Sequence, residues 1–214
     1  MNYFFELIFR ILMLALLLNI YPKLFSYIMK SIKVFYYKTK FAFEKIYRVL
    51  NVKKSSDFVW KELISHHKAS SWNFGQFDKD RRIECSFTVD ESNTVDFYYN
   101  VTKTKLIFNA VVLKNFNEEL TNDILVLASH FNGLLSFGVV KVDLKYSYVE
   151  MTYYGDILNY SIFPGEIDND MTTHYHLVKD CYWTFQRLIE TGDDPVFVFS
   201  ELMRKKEEND NKTS

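Results

Sequence analysis

The residues of this 214-residue chain that could carry chemistry are five histidines, two cysteines and several closely spaced carboxylates. Asp170, His174 and His176 come nearest to a metal-binding pattern. On a helix Asp170 and His174, four apart, share a face, but His176 projects about 200° away from His174, so the set reads as solvated helix residues. His66 and His67 are adjacent at the exposed end of a short helix and point in different directions. His130 falls off the apolar stripe of its helix and reads as a surface residue. Neither Cys85 nor Cys181 stands beside a histidine, so a Cys–His nucleophile would need tertiary contacts to assemble it. Cys85 falls on the apolar face of a strand and Cys181 inside a helix, which reads as two buried reduced thiols. Asp168, Asp170, Asp193 and Asp194 are explained more simply as helix caps than as paired catalytic carboxylates. The chain has no Gly-rich phosphate loop, zinc spacing or GxSxG. These residues predict no catalytic, cofactor-binding or metal-binding set.

The elements around them are easier to read. Apolar residues make up 48% of the chain, with only 6 Gly and 3 Pro, so a core is expected and long irregular loops are not. The net charge of −1 hides an asymmetry. Lys23 to Lys54 carries nine Lys/Arg against Glu44 alone, whereas Ser55 onward carries 16 basic and 25 acidic residues. A basic stem before an acidic domain suggests a membrane-proximal arrangement and argues against nucleic acid as the domain's partner.

Residues 3–21 contain the apolar run Ile11–Leu18, which reaches about 20 residues when extended to Phe25 and predicts a transmembrane helix. Arg10 near its end can snorkel, with Glu6 four residues before it. An interfacial helix, a cleaved signal and soluble packing are the alternatives. If the segment spans, the positive residues that follow put the domain in the cytoplasm. Pro22 opens a second helix, to about Val49, with Lys23, Lys30, Lys33 and Lys40 on one side as membrane-surface residues. The alternative is that it packs on the domain or on a second copy. Residues 22–54 thus read as a basic amphipathic stem, with a boundary near Lys53–Ser56.

The domain is expected over 55–204, followed by a disordered tail at 205–214. Asp57 caps a short helix. Ile83, Cys85, Phe87 and Val89, then Val95, Phe97, Tyr99 and Val101, alternate with polar residues and predict half-buried strands. Leu106–Leu113 is apolar on both faces and predicts a central strand. A helix from Asn117 to Gly133 is then expected to carry Leu120, Ile124, Leu127, Ala128, Phe131 and, just past its end, Leu134 as one stripe across the sheet. Gly133 is its expected left-handed stop. A hairpin, 137–142 and 148–154, follows. A helix capped by Asp168 or Asp170 ends at Gly192, and Asp194-Pro195 starts the last helix. The fold class is α+β, with a five-stranded antiparallel sheet in helix-β-β-β-helix-β-β-helix order.

From Asp57 to Gly192 this order resembles the type III secretion chaperone-like fold and, within it, the YbjN-like family. The resemblance is carried by the strands IECSFTV and TVDFYYNV and by the helix-to-strand passage ASHFNGLLSFGVVKVD. Asn132 stands where that family has an Asn at a helix end leading into a strand; by itself it also reads as a helix C-terminal residue. Members of this fold are typically small acidic dimers that bind other proteins and have no catalytic centre. The resemblance therefore implies a non-enzymatic binding module, chaperone- or adaptor-like, with a protein partner and a homodimer compatible with it, and the N-terminal helix and basic stem would hold it at the cytoplasmic face of a membrane. Alternation puts Thr88, Asp96 and Tyr98 on the sheet face away from the helix, as candidate partner contacts. The alternatives are a membrane-attached enzyme with a site assembled from His130, Asp170 and His174, and a structural subunit of a membrane complex.

Overall fold

In the computed structural model, the described residues are Met13 and Pro22–Thr213. The chain divides into two compact units, residues 1–50 and 51–214. In the first, α1 spans Pro22–Leu50. Its only proline is at the first position, where the missing N–H is harmless, and it contains no glycine. Among the described residues no helix is long and apolar enough to cross a membrane, which corrects the transmembrane expectation. α1 has the length, but six Lys, Arg48 and Glu44 are spread along it, and each would be costly to bury in hydrocarbon. The run at 3–21 on which the expectation was placed lies, Met13 apart, outside the described residues.

The second unit opens with α2, Val52–Ala69, capped by Asn51, whose side chain accepts from Lys54 N at 3.2 Å. The expected cap, Asp57, instead pairs with Arg81. The sheet follows: β1 Phe74–Phe77, β2 Arg82–Thr88, β3 Thr94–Val101, β4 Lys105–Lys114, β5 Val139–Asp143 and β6 Tyr148–Asp156. It is antiparallel, with strand order β1-β2-β3-β4-β6-β5, so it has six strands rather than five. β4 is central as expected, although its alternation is clearer than an apolar run implies: Leu106, Phe108 and Ala110 are buried and Ile107, Asn109 and Val111 are not. A bulge between Val111 and Leu113 then brings Val112 and Leu113 both into the core.

Register aligns Phe74, Cys85, Phe97, Ala110, Met151 and Val140 in one row across all six strands. This row faces the helices. α3, Thr121–Leu134, packs on β5; a 3₁₀ turn, Glu118–Leu120, precedes it and is capped by Asn117. α4, Ile157–Ile162, packs on α2, and α5, Glu166–Thr191, crosses β4 and β6. α5, not α3, is therefore the helix laid across the centre of the sheet. α6, Pro195–Thr213, packs on α3 and α5 through Val198, Phe199 and Leu202. The helix runs through the stretch expected to be a disordered tail. Lys206 and Asp180 pair at 2.5 Å, and the Lys205 ammonium sits 4.5 Å from the Trp183 ring centre.

Candidate functional site: the uncovered face of the sheet

The strand residues that do not face the helices build the opposite surface. One residue along from the buried row, Glu84, Tyr98, Asn109, Thr152 and Val139 are in register from β2 to β5. The neighbouring row is Ser86, Asp96, Val111, Glu150 and Lys141. Most of these side chains are partly exposed. Between them lies a groove of about 480 Å³, lined by Arg82, Tyr98, Asn109, Lys114, Tyr148 and Glu150, with Tyr146 at its rim.

Charges on this face are paired. Asp96 accepts from Lys114 Nζ at 2.7 Å and from Ser86 Oγ at 2.7 Å. Those bonds hold its carboxyl below the usual carboxylate range, with Lys114 the larger cause, and the same contact raises Lys114. Arg82 pairs with Glu84 at 2.8 Å, and its guanidinium carbon lies 5.0 Å from the Phe77 ring centre. Lys141 donates to Tyr154 Oη at 2.7 Å and to Glu150 at 3.4 Å. Partial burial of Tyr98 and the nearby Asp96 charge push its phenol upward, so it stays a neutral donor. Asn109 Oδ1 is buried with no hydrogen-bond partner among the described residues. The groove thus offers aromatic surface and charges of both signs, while the sealed Asn109 oxygen lies beneath it. Those groups recognise hydrogen-bonding and aromatic surface by contact.

Of the sequence-predicted contacts, Tyr98 lines the groove and Asp96 borders it through Lys114. Thr88 lies apart at the end of β2, paired with Thr94, and its carbonyl accepts from Tyr175 Oη at 2.7 Å. The β4 and β6 residues, Asn109, Tyr148 and Glu150, were missing from that set. Asn109 is the polar interruption of an apolar strand, and it is the signal that would have found them. Lys30, Lys33 and Lys40 lie exposed on α1; the Lys23 side chain lies outside the described residues.

The metal-like cluster is not assembled. Asp170 accepts from Tyr160 Oη, and His176 is exposed. His174, expected in solvent, is fully buried, its Nε2 3.1 Å from the Met151 carbonyl and its ring between Phe97 and Phe108. Among the described residues no group of three His, Cys, Asp or Glu converges. His67 is fully buried too: Nδ1 donates to Leu63 O at 2.8 Å, and the ring packs against Trp72, Phe74 and Tyr99. Burial pushes both imidazoles down to about 4. His130 is partly buried, stacked on Phe199 at 5.5 Å. Cys85 and Cys181 are buried and free; burial pushes the Cys85 thiol up to about 12 and that of Cys181 higher still. Asn132 bonds both ways with the β5 edge: its Nδ2 donates to Val140 O at 2.9 Å and its Oδ1 accepts from Val140 N at 2.7 Å.

Comparison of the sequence with protein-family models and with curated proteins gives no match.

Proposed function

We propose that this protein is a non-enzymatic binding module, chaperone- or adaptor-like, working at the cytoplasmic face of a membrane. On this reading the α+β unit has the type III secretion chaperone-like, YbjN-like order, and a segment of a partner protein lies along the uncovered sheet face. The observation that supports it most is the groove around Tyr98, on the sheet face that none of the described helices of residues 51–214 covers, lined by Tyr146 and Tyr148. A partner stacking on the tyrosines and bonding to the polar groups at the groove's edge would use that surface. Asp96 and Lys114 pair at the rim, and the strands beneath hold the backbone of this face in place.

The experiment is an affinity capture with the tagged full-length chain and its Tyr98→Ala/Asn109→Leu variant, read by quantitative mass spectrometry. A partner retained by the parent and reduced more than tenfold with the variant is the expected result, provided the variant's melting curve is unchanged. A partner retained equally by both removes the groove from the proposal.

A further inference from the structure

We infer that α1 binds an anionic lipid bilayer by lying in its interface. The inference rests on the membrane half of the reading above and is independent of the groove. At 3.6 residues per turn, Ile28, Ile32, Phe35, Phe43, Ile46 and Leu50 fall within a strip of about 80°, at the middle of a sector of roughly half the helix circumference. No Lys, Arg, Asp or Glu falls in that sector. These side chains are open to solvent: Ile32 is 56% exposed, Phe35 70%, Phe43 72% and Leu50 80%. Thr39, whose Oγ1 donates back to the Phe35 and Tyr36 carbonyls, is the one polar residue within the strip, and an apolar strip of this length is not left in water without a partner.

The opposite face decides which partner. Lys30, Lys33, Lys38 and Lys40 are exposed outside the apolar strip, with Val34 and Phe41 among them, and Glu44 is the helix's single acid. Lys33 and Lys40 border one edge of the apolar sector, and Lys38 borders the other. That is where ammonium groups must stand if their stems run along apolar surface and their heads reach phosphate. Tyr27, Tyr36 and Tyr37 add rings with a polar tip, suited to the depth of lipid headgroups. An anionic bilayer engages the apolar sector and the lysine border in one contact. A second copy would bury the apolar sectors but leave two basic faces unpaired. A nucleic acid would take the lysines but leave the apolar strip in water.

The test is co-sedimentation of the full-length chain with unilamellar vesicles, either phosphatidylcholine alone or with about 30 mol% phosphatidylserine. Retention on the anionic vesicles should exceed that on neutral ones more than tenfold and fall as salt is raised. Ile32→Asp/Phe35→Asp and Lys33→Glu/Lys40→Glu should each cut anionic retention more than fivefold. Both pairs are exposed, so the melting transition of residues 51–214 should stay where it is. Four results overturn the inference: equal retention on both vesicle types; retention unchanged in both variants, which moves the membrane contact elsewhere; a concentration-dependent dimer that Ile32→Asp/Phe35→Asp abolishes, without vesicle binding; or an RNA mobility shift without vesicle binding. Because no protein partner is present, failure here leaves the groove's role standing, and failure of the capture experiment leaves this one standing.

Discussion

Two faces of the same six strands have opposite fates. The row Cys85, Phe97, Ala110, Met151 and Val140 lies under helices and is buried throughout. One residue along, Glu84, Tyr98, Asn109 and Val139 are all partly open, and only Thr152 is sealed. The backbone hydrogen bonds are shared, so the difference lies entirely in side chains and in what covers them. It teaches that stability here is concentrated on one face. The other face keeps polar and aromatic groups that folding does not consume.

The largest effect should come from the covered face. Phe97→Ala removes a fully buried ring at the centre of the aromatic cluster formed with Tyr99, Phe87 and His174, and should cost about 3–5 kcal/mol in urea unfolding. Tyr98→Ala, its neighbour on the other face, should cost about 1 kcal/mol or less. Similar losses for the two would erase the contrast.

Acid should attack the covered face next. His67 and His174 are held at about 4, below their ordinary value, so the unfolded chain takes up protons that the folded one refuses. Their contribution is fully present above the ordinary histidine range and is lost as pH falls toward 4. Between pH ~7 and pH ~5 each should remove about 2 kcal/mol. Urea midpoints across that range should fall for the parent, and less steeply for His174→Phe. A flat profile would mean the imidazoles are reached by water.

Gly155→Ala follows. A Cβ there would overlap the Tyr160 ring, which is itself fixed by Asp170 and buried. Overpacking of that kind should lower stability by about 1–3 kcal/mol in the same assay.

How much of this contrast the sequence discloses depends on whether local chemistry or tertiary packing decides. Strands β2 and β3 were legible because period-two alternation is a property of one face being buried. Gly192 was legible because a left-handed stop favours glycine, and it sits at φ 63°. Asp194 was legible as a cap and accepts from Val196 N at 2.8 Å. Gly133 carried the same signal falsely: α3 continues to Leu134 and ends in an extended Leu135, so packing on β5 overrides the local preference. β1 is four residues with no alternation, and α4 is six residues behind Asp156, both too short for periodicity. The histidines were misread for a different reason. A helix-face rule places His174 beside Asp170 but cannot say that the sheet's aromatic row closes over it. Of the groove, Tyr98 and Asp96 followed from alternation, and Asn109 was marked by its polarity inside β4; its grouping with Glu150 needed the register between β4 and β6, which no local pattern contains.

The smallest stability effect, and the sharpest test of the contrast, belongs to Asp96. Its pair with Lys114 is partly exposed, so Asp96→Ala should cost only about 0.2–1 kcal/mol and less at high salt. Because Lys114 and Ser86 hold the Asp96 carboxyl below its ordinary range, its contribution is present at neutral pH and fades as pH falls through that depressed value. The parent–variant difference in urea midpoint should therefore shrink toward zero only below the ordinary carboxylate range, after the histidine effect has run its course near pH 4. A loss above about 2 kcal/mol, insensitive to salt, would mean that the ion pairs of the uncovered face hold the sheet together. Ser86, Asp96, Lys114 and their neighbours would then belong to the fold, and the groove would have to be sought as a site on Tyr98, Asn109 and Tyr148 alone.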